Sequence, residues 1–97
     1  FVIAHLPDTT APYIVILSPR PISYMNWQIL RIDFDALDRI TGVMEVTATL
    51  DGMPVKDGQR IDLRTLALGE HTFVVQATDY AGNTATRTVK FKVVKAK

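Results

Sequence analysis

The sequence predicts an all-β sandwich of about seven antiparallel strands in two sheets. Three observations carry this. Apolar and polar residues alternate with period two along most of the chain, Gly, Asp and Pro interrupt the alternation every 8 to 12 residues or so, and helical periodicity is nearly absent. With 97 residues and an apolar fraction of 47%, the chain is long enough to bury one core without metal or disulfide support. One domain is expected over residues 12–95, with residues 1–11 a linker or the end of a preceding domain.

Taken in order, "FVIAHLPDTTAP" reads as a strand end followed by a Pro, Thr and Asp linker, and its "FVIA" echoes "FKVV" at 91–94. A tandem array would place the last strand of one copy in that position. Neither an initiator Met nor a charged leader precedes Phe1, so the chain reads as a segment of a longer protein. "YIVIL" (13–17) begins the first full strand. In "ILRIDFD" Leu30, Ile32 and Phe34 face one way and Arg31, Asp33 and Asp35 the other, the pattern of a half-buried strand. "VMEVTATL" is read as its neighbour, with Met44, Val46, Ala48 and Leu50 on one face, and Asp51-Gly52 closes it with a hairpin signal.

Lys56-Asp57-Gly58 turns the chain into "RIDL". "EHTFVVQATD" then places His71, Phe73, Val75 and Ala77 on one face, and "TATRTVKFKVV" points Val89, Phe91 and Val93 inward. Lys90 and Lys92 on that last strand match the use of lysine to guard a sheet edge. Two short helical turns are also predicted. One lies at 36–42, with Asp35 as N-cap and Gly42 as stop; the other is in "DLRTLALG", where Leu63, Leu66 and Leu68 would cover the end of the core.

Composition narrows the function. Eleven basic against ten acidic residues, a net charge of +1, do not make the basic footprint of a nucleic-acid binder. There is no cysteine, which excludes disulfides, thiolate metal sites and thiol catalysis. Apolar runs such as "YIVIL" fall well short of the roughly 18 to 20 residues that cross a bilayer as a helix. His5 and His71 have no Ser or Cys near them in a nucleophile motif, and strand and capping roles account for Asp33, Asp35 and Asp38 without a glycosidase pair. No catalytic residue is expected.

"PDTTAPYIVILSP", "TLDG", "LALGEHTFVVQATDYAGN" and "TRTVKFKV" together resemble the bacterial immunoglobulin-like and fibronectin type III-like modules of secreted and surface proteins, from Pro7 to Val94. The resemblance implies an immunoglobulin-like β-sandwich, extracellular or cell-surface location, and a non-catalytic place beside glycoside hydrolase, polysaccharide lyase, protease or adhesive domains. It departs from the pattern at His71, where the fibronectin-like module has a Tyr whose hydroxyl ties down a corner. A ring nitrogen is expected to replace that bond. It departs again in "DFDALDRITGV", longer and more acidic than the usual connector.

In such a sandwich the loop after the second strand and the loop between the last two strands share one end. Asp35 and Asp38 would then approach Asp79 and Asn83, hard oxygen ligands of the kind calcium selects. Calcium is the single cofactor the sequence nominates, against helix capping and Asx-turn hydrogen bonding as the plainer roles. The EF-hand pattern fails, since Asp38 stands where that loop needs Gly and Met44 where it needs Glu.

For sugar stacking, Tyr80 is the candidate ligand contact, an exposed aromatic in the final turn. Trp27 is expected as a lid over Leu66 and Leu68 and, with Tyr24, at the opposite end. Gly82 is expected to supply positive φ in the last turn. The basic residues Arg87, Lys90, Lys92, Lys95 and Lys97 offer a contact for an anionic polysaccharide. The expected function is a spacer in a secreted multidomain bacterial protein, with neighbouring domains of the same chain as partners. The alternative is a module that binds extracellular polysaccharide or a surface protein; nucleic acid and membrane insertion are not expected.

Overall fold

The computed structural model describes residues 10–95. The expectations for "FVIA" and His5, and for Lys97, lie outside them. Nine strands are present among the described residues: β1 (Tyr13–Ser18), β2 (Ser23–Met25), β3 (Ile29–Arg31), β4 (Asp33–Leu37), β5 (Val43–Leu50), β6 (Met53–Val55), β7 (Arg60–Asp62), β8 (Gly69–Asp79) and β9 (Thr84–Val94). One layer is formed by the antiparallel pairs β1-β4 and β3-β7, and the other is a five-stranded sheet in the order β2-β9-β8-β5-β6.

The excess over seven arises from short additions and one interruption. β3 and β4 are a single run broken at Ile32, whose N–H donates to the Gln59 carbonyl (2.8 Å) and whose carbonyl accepts from Gly58 N (2.6 Å). Through this switch the run exchanges β7 for β1 as its partner. The alternation nevertheless holds throughout, with Leu30, Ile32 and Phe34 all buried. β2 runs parallel to the end of β9, so Lys92 is on a covered part of that strand, contrary to the edge-guarding role expected of it. Lys90 is below the covered part.

β4 and β5 are not sheet neighbours. β5 pairs with β8 and β6, and residues 38–42 carry the chain from one layer to the other. The core fills the space between: Ile14, Leu30, Ile32 and Phe34 from the first layer meet Leu50, Phe73, Val75, Phe91 and Val93 from the second. The Phe34 and Phe73 rings approach to 6.1 Å across it. Only the second half of β5 reaches the core; Met44 and Val46 are exposed, and Val46 borders an open cleft shared with Phe34, Asp35 and residues 54–57.

Of the two predicted helical turns, one forms. Leu63–Thr65 is a short 3-10 helix with Asp62 as N-cap, its carboxylate accepting from Arg64 N at 3.0 Å. Leu63 is fully buried and Leu66 partly so, but Leu68 is exposed and does not cover the core. At 36–42 there is no helix. Asp35 is inside β4 and caps nothing, its carboxylate accepting from the adjacent Ala36 N; the chain turns instead at Asp38, whose Oδ1 accepts from Ile40 N (3.0 Å) and Thr41 N (3.1 Å). An Asx turn closes this crossing, which a side-chain acceptor does without helical backbone.

Asp51-Gly52 forms the expected tight hairpin, Leu50 opposite Met53, with both central residues at positive φ (51° and 84°).

Candidate functional site

The polar side chains that matter gather at the two ends of the sandwich. At the end where the described chain begins, Tyr80 N donates to the Gly42 carbonyl (3.2 Å), so the 38–42 crossing and the β8-β9 turn do share an end. Asp79 organises that turn. It is fully buried, its Oδ1 accepts from Ala81 N (2.9 Å) and Asn83 N (2.8 Å), and its Oδ2 accepts from Asn83 Nδ2 (2.9 Å). Gly82 follows at φ 91°, the conformation that favours glycine. Asn83 Nδ2 also reaches the Thr10 carbonyl at 3.5 Å, which ties the turn to the incoming chain.

The structure gives the four candidate calcium ligands different local surroundings. Asp35 faces solvent from β4, Asp38 has one oxygen committed to its own turn, and both carboxylate oxygens of Asp79 accept hydrogen bonds within the β8-β9 corner. Among the described residues no three His, Cys, Asp or Glu side chains group as a metal-binding set. Calcium takes six to eight oxygens at about 2.3 to 2.6 Å, and the four nominated residues are spread over two turns and a strand. The melting midpoint is expected to be the same in millimolar calcium and in excess chelator; a rise with calcium would show that these oxygens gather on a cation.

At the other end, His71 opens the buried half of β8. Its Nε2 donates to the Ala67 carbonyl at 2.7 Å, four residues upstream, and its Nδ1 lies 2.5 Å from Asp51 Oδ2. The ring packs on Phe91 at 5.6 Å. The bond to Ala67 occupies the place of the corner tyrosine's bond back to the main chain. With an acceptor at each nitrogen, the ring is satisfied when it donates from both, which is the imidazolium. Burial works against that charge, but the hydrogen bond that Nδ1 donates to Asp51, the bond to the Ala67 carbonyl and the Asp51 charge together raise the His71 pKa above its usual 6.5.

Asp51 responds in the opposite sense. Burial tends to raise its pKa, and the hydrogen bonds from Thr72 N and His71, with the His71 charge, outweigh this and hold it below 3.8. His71 is the one histidine among the described residues; its Nδ1 ties β8 to the β5-β6 hairpin at Asp51, and its Nε2 ties β8 to the segment that leads into it at Ala67.

The aromatics are divided between the ends. Tyr80 is 68% exposed in the β8-β9 turn. Tyr24 lies against Phe91 edge-on at 5.7 Å, with its hydroxyl accepting from Arg20 N. Trp27 is 62% exposed, so it is not the predicted lid. Its turn is fixed by Asn26 N donating to the Val94 carbonyl (2.9 Å) and Gln28 N donating to the Met25 carbonyl (3.1 Å), which leaves the indole outside the core that Leu63 closes. Trp27→Ala is accordingly expected to shift stability by less than about 0.5 kcal/mol in a denaturant melt, where loss of a lid would cost several times more.

The arrangement defines a class by its fold: a two-layer fibronectin type III-like β-sandwich. No protein-family model and no curated protein matches the sequence. Among solved structures, the fibronectin(III)-like modules of Clostridium thermocellum CbhA match with a TM-score of 0.64 at 20% identity, over 89% of this chain and 48% of that one. The endo-beta-1,4-mannanase from Thermotoga petrophila matches with a TM-score of 0.65 at 15% identity, over 92% of this chain and 21% of that one. This chain thus spans about half of the first and about a fifth of the second, so the same fold recurs as one part of longer bacterial chains. No helix among the described residues is long and apolar enough to cross a membrane.

Proposed function

We propose that this chain is a non-catalytic spacer module of a secreted multidomain bacterial protein, fixing the distance and orientation of the domains on either side. The supporting observation is the placement of the chain's entry and exit. Thr10 is bound to Asn83 beside the start of β9, and Val94 at the other end of that strand is bound to Asn26. Eleven residues of a single strand separate the two points, on the order of 35 Å at strand spacing. Two engaged corners, at Asp79 and at His71, hold β8 at both ends, and a folded strut keeps its neighbours apart more rigidly than a flexible chain of equal reach.

The test is an exchange in the parent chain. Replacing residues 12–95 with a Gly-Ser linker of matched reach is expected to leave turnover of a small soluble substrate unchanged and to reduce action on an extended or insoluble one. Unaltered action on both would remove the spacer role.

A second reading, binding of polysaccharide or a surface protein, is favoured by the exposure of Tyr80 alone. A polysaccharide pull-down that succeeds with the isolated domain and fails with Tyr80→Ala would establish it. The separation of Tyr80 from Trp27 leaves no common aromatic platform.

A further inference from the structure

Beyond the spacer role, the open flank of β9 carries the features of a peptide-binding slot. Asp51 N donates to the Thr72 carbonyl, and Thr72 N donates to Asp51 Oδ1, so both backbone groups of Thr72 point toward β5. Lys90 is opposite Thr72 in the ladder. In an antiparallel pair the residue facing such a position turns its own N–H and C=O away from its partner strand, so those of Lys90 point to the outer flank of β9. The phase is confirmed two residues on, where Lys92 N donates outward to the Ile22 carbonyl. By the same alternation the N–H and C=O of Thr88 also face outward.

β2 occupies this flank only from Lys92 to Val94. In line with β2, a groove of about 700 Å³ runs between β1 and β9, lined by Ile16, Leu17, Pro19 and Val89 and by the cations Arg20, Arg87 and Lys90. No acidic residue lines it. Arg87 spends one donor on the Ile14 carbonyl (3.0 Å), and Lys90 has only a distant, solvent-exposed Glu70 at 3.9 Å. The Arg20 side chain has no hydrogen-bond or ion-pair partner among the described residues.

We propose that this groove accepts an extended acidic peptide segment of a partner protein, added to the edge of β9 as a strand. The outward N–H and C=O of Thr88 and Lys90 supply the ladder, the apolar wall takes alternate side chains, and the three cations select for acid. A second copy of this chain docking through the same edge is disfavoured, because it would set Arg87 and Lys90 against their own kind. A uronate polysaccharide meets the cations but makes no ladder with the strand.

The test is amide exchange of the 97-residue chain, followed by NMR, with the peptide Ac-Thr-Glu-Val-Glu-Val-Glu-Thr-NH2. Binding is expected to slow exchange at Thr88 and Lys90 about tenfold or more. It should weaken at least tenfold in the Arg20→Ala/Lys90→Ala double variant and vanish when the peptide's Glu residues are replaced by Lys. The two substituted side chains are on the surface, and an unchanged melting midpoint confirms that the variant folds. No binding at millimolar peptide, binding without protection at Thr88 and Lys90, or preference for an oligouronate such as trigalacturonate over the peptide would each overturn the proposal.

Discussion

Asp79→Ala is expected to lower the melting midpoint by on the order of 15 °C, about 3 kcal/mol. The carboxylate is fully buried and accepts from two backbone N–H groups and one side-chain amide of the turn it precedes. Alanine leaves those donors without their acceptor and opens the corner at which β8 reverses into β9. Asp79→Asn keeps one oxygen for Ala81 N and Asn83 N but turns an NH2 toward the NH2 of Asn83, so its cost should fall between wild type and alanine. Equal melting of all three proteins would show that the corner does not depend on this carboxylate.

His71→Ala is expected to cost about 2 kcal/mol, by removing a buried ring from Phe91 together with its two hydrogen bonds. The same corner sets a pH profile. His71 has a folded pKa above 6.5, so its contribution is complete below that pH and is lost as the pH rises through the folded value. Asp51 has a folded pKa below 3.8, so its contribution is present above that pH and is lost as the pH falls through the folded value. Both act between pH 3.8 and 6.5, where the melting midpoint should be highest. Asp51 is 41% exposed, so solvent screens the pair, and Asp51→Asn should cost only about 1 kcal/mol. That substitution should also bring the NMR midpoint of His71 down from its position above 6.5. An alkaline fall in stability that survives His71→Ala would assign it to another group.

Much of the fold was legible because a strand's period of two admits few alternatives once a core is required. Leu30, Ile32 and Phe34, and Phe73, Val75 and Ala77, are buried as their alternation indicates. Asp51-Gly52 is a hairpin because two adjacent residues take positive φ. The departures came where a local pattern was outweighed by a partner distant in sequence. A helix signal at 36–42 yielded to strand pairing of β4 with β1 and to an Asx turn at Asp38. Trp27, the largest apolar side chain, is exposed, while the fully buried Leu63, whose N–H reaches the Gln28 carbonyl from a 3-10 helix far along the chain, belongs to the core.

The candidate sites were less legible than the fold. The sequence places Asp79 and Asn83 near Asp38, but does not show whether their oxygens face a common point or their own backbone; in the structure those of Asp79 face the backbone and amide of the turn. The Asp51 partner of His71 is twenty residues away, and no local signal in the sequence links the two. The flank of β9 was read as a guarded edge from its lysines. The cover that β2 provides, and the groove left below it, depend on a parallel pairing over three residues that has no pattern of its own.

A spacer needs a fixed separation between the points where the chain enters and leaves the sandwich. Because the sequence contains no cysteine, Thr10→Cys and Lys95→Cys can be spin-labelled uniquely and their separation measured by double electron–electron resonance. A single narrow distribution centred on the order of 35 Å, unchanged when flanking domains are attached, is the predicted result. A broad distribution, or one centred well below that distance, would contradict a rigid module with its neighbours held at opposite ends.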